Sequence, residues 1–242
     1  MKKLCLSICL LGLTLFSSCD LAQAQDFKAK AVMISNQNLT ILGENLATPE
    51  QAVRLIKTVN PKPLLTCSVE ELVEHYFQEA QKEGIRGDVA LSQALLETGF
   101  FRYGGSVDYR QNNFCGLGST GKNVGGARFT DAKLGVRAHI QHLLVYSSKK
   151  APSENVVDPR FETVKKIPRL YASAKTWHDL DGRWAMSRPY GSKILDIHSR
   201  MLAIPVSPTQ KSVAQKQVAA SKEKTEKKNI KARIQAILKN EK

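Results

Sequence analysis

Apolar residues recur with a helical period in five segments of the chain, and the first two segments carry clear start signals. Thr48 followed by Pro49 is the pattern of an N-cap with proline at the first helical position, and the helix it begins is predicted to stop near Asn60. The sequence Ser68-Val-Glu-Glu71 is a capping box, and it predicts a second helix that extends toward Gly84. The apolar positions at helical spacing in this second segment are Leu72, Tyr76, Phe77 and Ala80.

Three further segments show the same spacing. Asp88 stands where an N-cap is expected for a third helix, which runs from Val89 to about Phe101. A fourth helix is predicted from Leu134 to Ser147 and a fifth from Ser192 to Leu202. Strand signals are scarce throughout, so the sequence predicts a mainly α fold. The segment from Gly104 to Phe129 is rich in glycine and reads as a loop, with room for a short hairpin.

The two ends of the chain differ from this middle part. Residues 1–24 have a short basic start and an apolar stretch too short to span a bilayer, as expected of an export signal. Cleavage before Gln25 and lipidation of Cys19 are alternative outcomes. Residues 207–242 hold ten Lys or Arg against three Glu, which gives +7 of the formal net charge of +14. This composition predicts a disordered basic tail.

The resulting domain organisation has four parts: the signal (1–24), a lead-in with one helix (25–66), a folded domain (67–206) and the tail (207–242). Attraction of the tail to anionic envelope polymers or to a membrane surface is an alternative to simple solvation. Nucleic acid is a poor partner for an exported protein, and we expect a monomer. Two cysteines lie outside the signal, Cys67 and Cys115, and sequence alone does not supply the geometry that a disulfide between them would need.

Glu97 is the residue with the clearest chemical potential. The buried stripe of the third helix includes Leu95 and Thr98, and Glu97 lies at its margin, with Gln93 one turn before it and Phe101 one turn after. A carboxyl group packed against apolar neighbours loses hydration, and this raises its pKa. A carboxylic acid that stays protonated near neutral pH is the proton donor that glycosidic bond cleavage requires. The alternative is an ordinary glutamate on a helix surface.

Several motifs in this order resemble the bacterial glucosaminidase domain, the peptidoglycan endo-β-N-acetylglucosaminidases of glycoside hydrolase family 73. The resemblance covers about Ser68 to Leu202, and the motifs that carry it are Gln93-Ala-Leu-Leu-Glu-Thr-Gly99, Gln111-Asn-Asn-Phe-Cys-Gly-Leu-Gly118, Phe129, Gly135-Val-Arg-Ala-His-Ile-Gln-His-Leu143, Gly182-Arg-Trp-Ala185 and Tyr190-Gly-Ser-Lys-Ile194. It implies a single lysozyme-like domain with a Gly-rich loop or a short β-hairpin flap beside the cleft. It also implies that peptidoglycan glycan strands are the substrate.

The resemblance assigns roles to individual residues. Glu97 would be the general acid, and Tyr190 would face it, although a core aromatic at a helix start is the alternative for Tyr190. The residues expected to bind substrate or shape the cleft are Gln93, Phe101, Asn112, Asn113, Phe114 and Gly116. The asparagine pair is equally typical of turns.

The second catalytic group is left open by the sequence. Asp131 stands where many relatives carry a carboxylate on a flap, but it is also placed to cap the fourth helix. Asp108 in the Gly-rich segment is a further candidate. A third alternative needs no second carboxylate, because the 2-acetamido group of the substrate can attack the anomeric carbon.

Other reactive residues favour ordinary roles. His139 and His142 are three apart on the fourth helix, but no third ligand has suitable spacing, so no metal is expected. Cys115 occupies an apolar position, which argues against a cysteine peptidase. Trp177 and Trp184 are either core residues or platforms for sugar rings, and burial is favoured for Trp184.

The sequence as a whole therefore predicts an exported hydrolase, without cofactor, that cleaves the β-1,4 bond between GlcNAc and MurNAc during wall remodelling or turnover. A lytic transglycosylase of the same fold is the nearest alternative. A non-catalytic wall-binding module is the alternative from another class, although a binding module has no need of an acid in an apolar setting.

Overall fold

A computed structural model describes residues 38–119, 125–186 and 188–206, and this part of the chain is mainly helical. Its α-helices are α1 (Pro49–Val59), α2 (Val69–Glu83), α3 (Gly87–Glu97), α4 (Ala132–Ser147), α5 (Phe161–Lys165) and α6 (Tyr190–Leu202). Two short 3-10 helices span Tyr109–Gln111 and Trp177–Leu180. Strand pairing within the described ranges is limited to isolated bridges. The predicted mainly α class is confirmed. The signal (1–24) and the tail (207–242) lie outside the described residues.

The predicted starts of the first two helices are confirmed in atomic detail. The Thr48 hydroxyl accepts a hydrogen bond from the Gln51 backbone N–H at 3.2 Å, and the Gln51 side chain accepts one from the Thr48 N–H at 2.9 Å. Ser68 and Glu71 make the same reciprocal pair, at 3.1 and 2.9 Å. Each box satisfies two N–H groups that the helix itself leaves unpaired. α2 then ends at Gly84, whose φ of 74° is the left-handed conformation that glycine adopts without strain.

The third helix differs from its prediction at both ends. It begins at Gly87, so Asp88 lies inside its first turn, and the Asp88 carboxylate accepts the backbone N–H groups of Leu46 and Ala47 instead of capping the helix. The helix ends at Glu97 rather than near Phe101 because the following residues turn back through left-handed conformations. α4 and α6 each begin two residues earlier than predicted, and α5 was not predicted.

α3 is the central helix of the fold. α2 and α6 pack against it, while α4 packs against α2 and α1 packs against both α2 and α6. Every residue of α3 from Gly87 to Leu95 is buried. Because α3 is buried on all sides it lacks a distinct polar face, and its buried polar side chains, such as Asp88 and Gln93, are held by hydrogen bonds. The described ranges contain no helix that is long and apolar enough to cross a membrane.

The segment before α1 packs on the same core. Ile41 is fully buried, its N–H donates to the Lys175 carbonyl at 2.9 Å, and its carbonyl accepts from the Arg86 N–H at 3.0 Å. An isolated antiparallel bridge joins Thr40 to Thr176. The described portion of the lead-in is therefore attached along its length to the helical core.

The Gly-rich segment folds as a compact loop in its described portion. The Phe129 N–H donates to the Gln111 carbonyl at 2.9 Å, and the Ala127 N–H donates to the Leu117 carbonyl at 2.7 Å. No strand forms among the described residues of this segment, and its tip, residues 120–124, lies outside them. The loop alternative fits the described part better than a hairpin.

Candidate active site

A cleft with a volume of about 670 Å³ opens beside the C-terminal end of α3. This volume is within the range of sites that hold small ligands. Its walls come from the end of α3, the Gly-rich loop, the C-terminal half of α4 and the segment from 160 to 185. The side chains that carry chemistry along these walls are Glu97, Tyr103, Asn113, Cys115, His142, Tyr146, Arg160, Arg169, Arg183 and Trp184.

Glu97 is the last residue of α3, and it is the only carboxylate among the described residues that line the cleft. Its side chain is exposed to the open cleft, yet protein atoms crowd it on the other sides. This crowding removes water and raises the pKa of Glu97 above its ordinary value. The Tyr190 hydroxyl, which donates a hydrogen bond to Glu97, and the nearby Trp184 act in the opposite direction, because they favour the carboxylate.

The backbone directly after Glu97 is conformationally strained. Phe100, Phe101 and Tyr103 have φ values of 58°, 59° and 57°, a left-handed region that costs about 1 kcal/mol or more for a residue with a Cβ. Distant groups hold this turn: the Asn60 side chain donates to the Phe100 carbonyl at 2.8 Å, and the Leu64 N–H donates to the Phe101 carbonyl at 2.9 Å. Because this turn ends α3 at Glu97, no further helical turn covers the Glu97 side chain, and it faces the cleft.

A chain of hydrogen bonds leads from Glu97 into the core. Tyr190, at the start of α6, donates to Glu97 Oε1 and accepts from Gln93 Nε2 at 2.8 Å. Gln93 Oε1 lies 3.1 Å from His139 Nε2, and His139 Nδ1 lies 3.0 Å from the Tyr76 hydroxyl. Gln93 and His139 are fully buried, and Tyr190 is nearly so.

The polarity of this chain is determined by its chemistry. An amide oxygen only accepts, so His139 Nε2 must carry the proton that reaches Gln93. Burial lowers the pKa of His139 to about 3, with a smaller contribution from His142, so the ring is neutral and its Nδ1 accepts from Tyr76. Burial and the neighbouring Glu97 raise the pKa of Tyr190 well above its ordinary value, so its hydroxyl keeps its proton. In each of the four hydrogen bonds, therefore, the donor is the residue farther from Glu97 along the chain of bonds.

An aromatic wall stands next to Glu97. The Trp184 ring packs against His142 at a centroid distance of 4.8 Å and against Tyr146 at 5.6 Å. His142 Nδ1 lies 2.7 Å from the Asp158 carboxylate, which is buried behind the wall. This arrangement fixes the Trp184 ring beside Glu97 and gives the cleft an apolar surface suited to a sugar face.

Residues 73–202 match the glucosaminidase family model, described as mannosyl-glycoprotein endo-β-N-acetylglucosaminidase. The chain belongs to the glucosaminidase family. A similar protein is an uncharacterized protein of Borreliella burgdorferi, 37% identical over 153 residues, which are 63% of this chain and 72% of that protein. No solved structure matches the chain. The protein is thus a glycoside hydrolase, an endo-β-N-acetylglucosaminidase, and the family supports peptidoglycan as its substrate.

Two of the residues predicted to shape the glucosaminidase cleft line it, namely Asn113 and Gly116. The Asn113 amide is already occupied: its Nδ2 donates to the Leu117 carbonyl at 2.9 Å and to the Ala127 carbonyl at 3.1 Å, and its Oδ1 accepts from the Leu117 N–H. The side chain therefore holds the Gly-rich loop in shape instead of offering hydrogen bonds to sugar.

Four other residues predicted to bind substrate lie behind the cleft surface, which corrects that expectation. Phe101 and Phe114 are 0% and 1% exposed and meet edge to face in the core, 6.2 Å apart. Asn112 is buried, accepts from Thr66 and donates to the Phe129 carbonyl. Gln93 acts on the site only through Tyr190. Side chains without a surface in the cleft support its walls from within.

The two candidates for a second carboxylate have structural roles. Asp131 is the N-cap of α4, where its side chain accepts from the Leu134 N–H at 2.9 Å. Asp108 caps the first 3-10 helix and pairs with Arg110 at 2.8 Å, and this hydrogen bond holds the pKa of Asp108 at about 2. Neither residue is among those that line the cleft.

Other predictions for single side chains divide similarly. Trp177 is fully buried, whereas Trp184 is partly buried: it packs against the hydrophobic core and also lines the cleft near Glu97. Cys115 is buried as predicted, and both it and Cys67 are free thiols. No cluster of three or more potential metal ligands occurs among the described residues.

Sequence reasoning missed the basic side of the cleft. Arg160, Arg169 and Arg183 all line it, and none belongs to a helix that the sequence pattern predicted. Only the Gly182-Arg-Trp-Ala185 motif, quoted for its resemblance, pointed to this region.

Proposed function

We propose that Glu97 is the general acid of this glucosaminidase and that the scissile bond is the β-1,4 linkage between GlcNAc and MurNAc. The observation that carries the proposal is the position of Glu97: it is the one carboxylate among the described cleft-lining residues, and its pKa is raised. A raised pKa keeps a fraction of the carboxyl group protonated near neutral pH, where it can donate to the leaving oxygen.

The hydrogen bonds around Glu97 favour this proton transfer. Oε1 accepts from Tyr190, so the acidic proton resides on Oε2. When Glu97 protonates the glycosidic oxygen, the C1–O bond breaks and a carboxylate remains. Tyr190 stabilises that carboxylate by donating a hydrogen bond to it, and the nearby Trp184 also favours the charged form.

The substrate supplies the second group in this mechanism. Asp131 and Asp108 are engaged as caps, and the loop residues outside the described ranges, 120–124, include no Asp or Glu. The carbonyl oxygen of the 2-acetamido group attacks C1 as the leaving group departs, forming an oxazolinium ion. Water then adds to C1 while the Glu97 carboxylate takes its proton, and the acetamido group is restored. Two displacements at C1 retain the β configuration.

Digestion of purified sacculi tests the role of Glu97. Glu97→Gln should lower the release of soluble fragments at least about 100-fold, because it removes the acid. Glu74→Gln, an exposed glutamate on α2, is the matched control. Mass spectrometry should find reducing GlcNAc ends, and NMR should find the β anomer first. Equal activity of the Glu97→Gln protein would remove Glu97 from the mechanism. Anhydro-MurNAc ends would indicate a lytic transglycosylase, and initial α anomer would indicate a second protein base.

Export and a role in wall remodelling complete the proposal. The apolar stretch within residues 1–24 supports export, and the basic segment 207–242 is suited to contact with anionic envelope polymers. Sequencing of the mature N-terminus decides between cleavage before Gln25 and a lipid-modified Cys19. A cytoplasmic protein that keeps Met1 would argue against export.

A further inference from the structure

The glucosaminidase cleft carries an excess of positive charge that cleavage of a neutral sugar chain does not require. Three guanidinium groups, those of Arg160, Arg169 and Arg183, line it, and we call them the basic arm. Glu97 is the only opposite charge among the described lining residues. General acid catalysis gives no reason for this excess, since cations beside an acid favour its carboxylate form.

Two members of the basic arm are available for a ligand. Arg183 is anchored, because its Nη1 donates to the Asp179 carbonyl at 2.7 Å and its Nε donates to the Ser173 hydroxyl at 3.1 Å. The guanidinium groups of Arg160 and Arg169 have no hydrogen-bond acceptor or ion-pair partner within the described ranges. The buried Asp158 carboxylate accepts the backbone N–H of Arg160 instead of its side chain.

Arg160 and Arg169 act on the same part of the cleft. Burial raises the pKa of the Tyr146 hydroxyl, and the charges of both arginines oppose that increase, so both lie within electrostatic reach of Tyr146. Ile167 and Leu170, which also line the cleft, give this region an apolar surface. Cations next to an apolar surface suit a ligand with carboxylates and small apolar side chains.

We propose that the basic arm binds the carboxylates of the peptide stems carried by the glycan strand. The proposal rests on the proposed function, because it places the sugar of a peptidoglycan strand at Glu97. A stem offers free carboxylates and methyl groups, whereas the sugar rings themselves are neutral. Guanidinium groups bind carboxylates through two parallel hydrogen bonds, so free arginines are suited to this role. The basic arm thus selects stem-bearing strands over neutral polymers of GlcNAc.

A double variant with a charge-matched control tests this selection. Arg160→Gln with Arg169→Gln removes both available cations, and Lys166→Gln with Lys193→Gln removes the same charge at exposed positions outside the cleft. The substrates are stem-bearing strands, strands freed of their stems by an amidase, and neutral chito-oligosaccharides. The segment 207–242 is common to all variants, so its attraction to anions cancels.

The arginine variant should lose about tenfold more kcat/KM on stem-bearing strands than on chito-oligosaccharides, as expected for two partly screened ion pairs. The lysine control should show no such difference between substrates. Added salt should reduce the difference in kcat/KM loss that the arginine variant shows between the two substrates. An equal loss on stripped strands would assign the arm to the lactyl carboxylate that stripping exposes, and would overturn the assignment to stems. Equal losses on all three substrates would overturn carboxylate binding altogether.

Binding measurements separate this proposal from the proposed catalytic role. Isothermal titration of the full chain carrying Glu97→Gln, with and without the arginine substitutions, needs no turnover. Tighter binding of stem-bearing muropeptides than of neutral oligomers, lost with the arginines, would support the basic arm even if Glu97 proved not to be the acid. If the arginine substitutions leave binding unchanged, the proposal for the basic arm is rejected even if Glu97 is confirmed as the acid.

Discussion

The protonation of Glu97 is a balance between the protein that crowds it and the donors that face it. Crowding raises its pKa, while Tyr190 and Trp184 lower it. Tyr190→Phe removes one of the opposing donors, so the pKa of Glu97 should rise further. Because the general acid that we propose must be protonated to act, the alkaline limb of kcat/KM should move to higher pH, although the maximal rate falls. The measurement is a pH–rate profile of the variant beside the wild type.

Tyr171→Phe is the control for this shift, since Tyr171 is a partly buried tyrosine that does not line the cleft. Its profile should follow that of the wild type. If Tyr190→Phe moves the alkaline limb to lower pH, or leaves it in place, the limb does not report Glu97.

We expect His139 to influence the protonation of Glu97 through the hydrogen-bond chain that joins them. Its Nε2–H bonds Gln93 Oε1, and this fixes which end of the amide faces Tyr190. In His139→Phe the amide is free to turn its oxygen toward Tyr190, whose hydroxyl would then donate to Gln93 instead of Glu97. The alkaline limb should again move to higher pH, and the effect should largely disappear when Tyr190→Phe is already present.

A purely structural role for His139 predicts a different outcome. The rate would then fall at every pH, the limb would not move, and the effects of the two substitutions would add. His75→Phe, a partly buried histidine on α2 outside the hydrogen-bond chain, should leave the profile unchanged.

At the scale of elements, α4 lies close to the turn at Asn112 because Gly135 of that helix has no side chain. A Cβ on Gly135 would lie 1.8 Å from the Asn112 carbonyl oxygen, so the helix and the turn approach closely only because this residue is glycine. Replacing an exposed glycine within a helix by alanine normally stabilises a protein. Gly135→Ala should instead lower the free energy of unfolding by at least about 2 kcal/mol, because α4 must move off the turn.

Urea denaturation measures this change. Gly125→Ala is the control, because a Cβ there meets no atom closer than 3.9 Å. Since the displaced turn leads into Asn113 and Gly116, activity of Gly135→Ala should also fall at temperatures where the protein stays folded. Unchanged stability would mean that α4 and the turn are not in such close contact.

The boundary of α3 shows why element limits were harder to predict than element existence. The apolar pattern continues past Glu97 to Phe101, and Gly99, whose φ is 58°, is the only local stop signal within it. The path of the chain after that glycine depends on Asn60 and Leu64, which hold the backbone of Phe100 and Phe101 from another segment. By contrast Thr48 and Ser68 cap their helices through contacts three residues away, which the sequence displays directly.

At the scale of the whole molecule, Asp88 ties together the lead-in, the central helix and the last helix. Its carboxylate accepts the N–H groups of Leu46 and Ala47 at 2.7 and 2.8 Å and lies 2.9 Å from His198 Nε2. Burial alone would raise the pKa of Asp88, but His198 and the two backbone donors hold it below its ordinary value of 3.8. The folded state therefore binds this proton less readily than the unfolded chain.

Asp88→Asn should cost about 3 kcal/mol of stability at pH 7, because it replaces a buried carboxylate that accepts two backbone N–H groups and lies against His198. A lowered folded pKa contributes stability above pH 3.8, and that stability is lost as pH falls through the folded pKa. The difference in the free energy of unfolding between wild type and variant, measured by urea denaturation, should thus become smaller at acidic pH. Asp196→Asn, an exposed aspartate on α6, is the control. If this difference in the free energy of unfolding does not change with pH, the charge of the Asp88 carboxylate does not contribute to stability.

The sequence by itself determined the helical class, the capped starts of α1 and α2, the placement of Glu97 at the margin of an apolar helix, and the order of motifs by which the family is recognised. Each of these depends on residues close together in the chain, where spacing dictates geometry. Only the tertiary structure decided what surrounds Glu97. Tyr190 and Trp184 reach it across more than eighty positions, and the basic arm comes from segments without helical pattern. Packing between distant segments, which no local spacing encodes, brings these groups to one cleft.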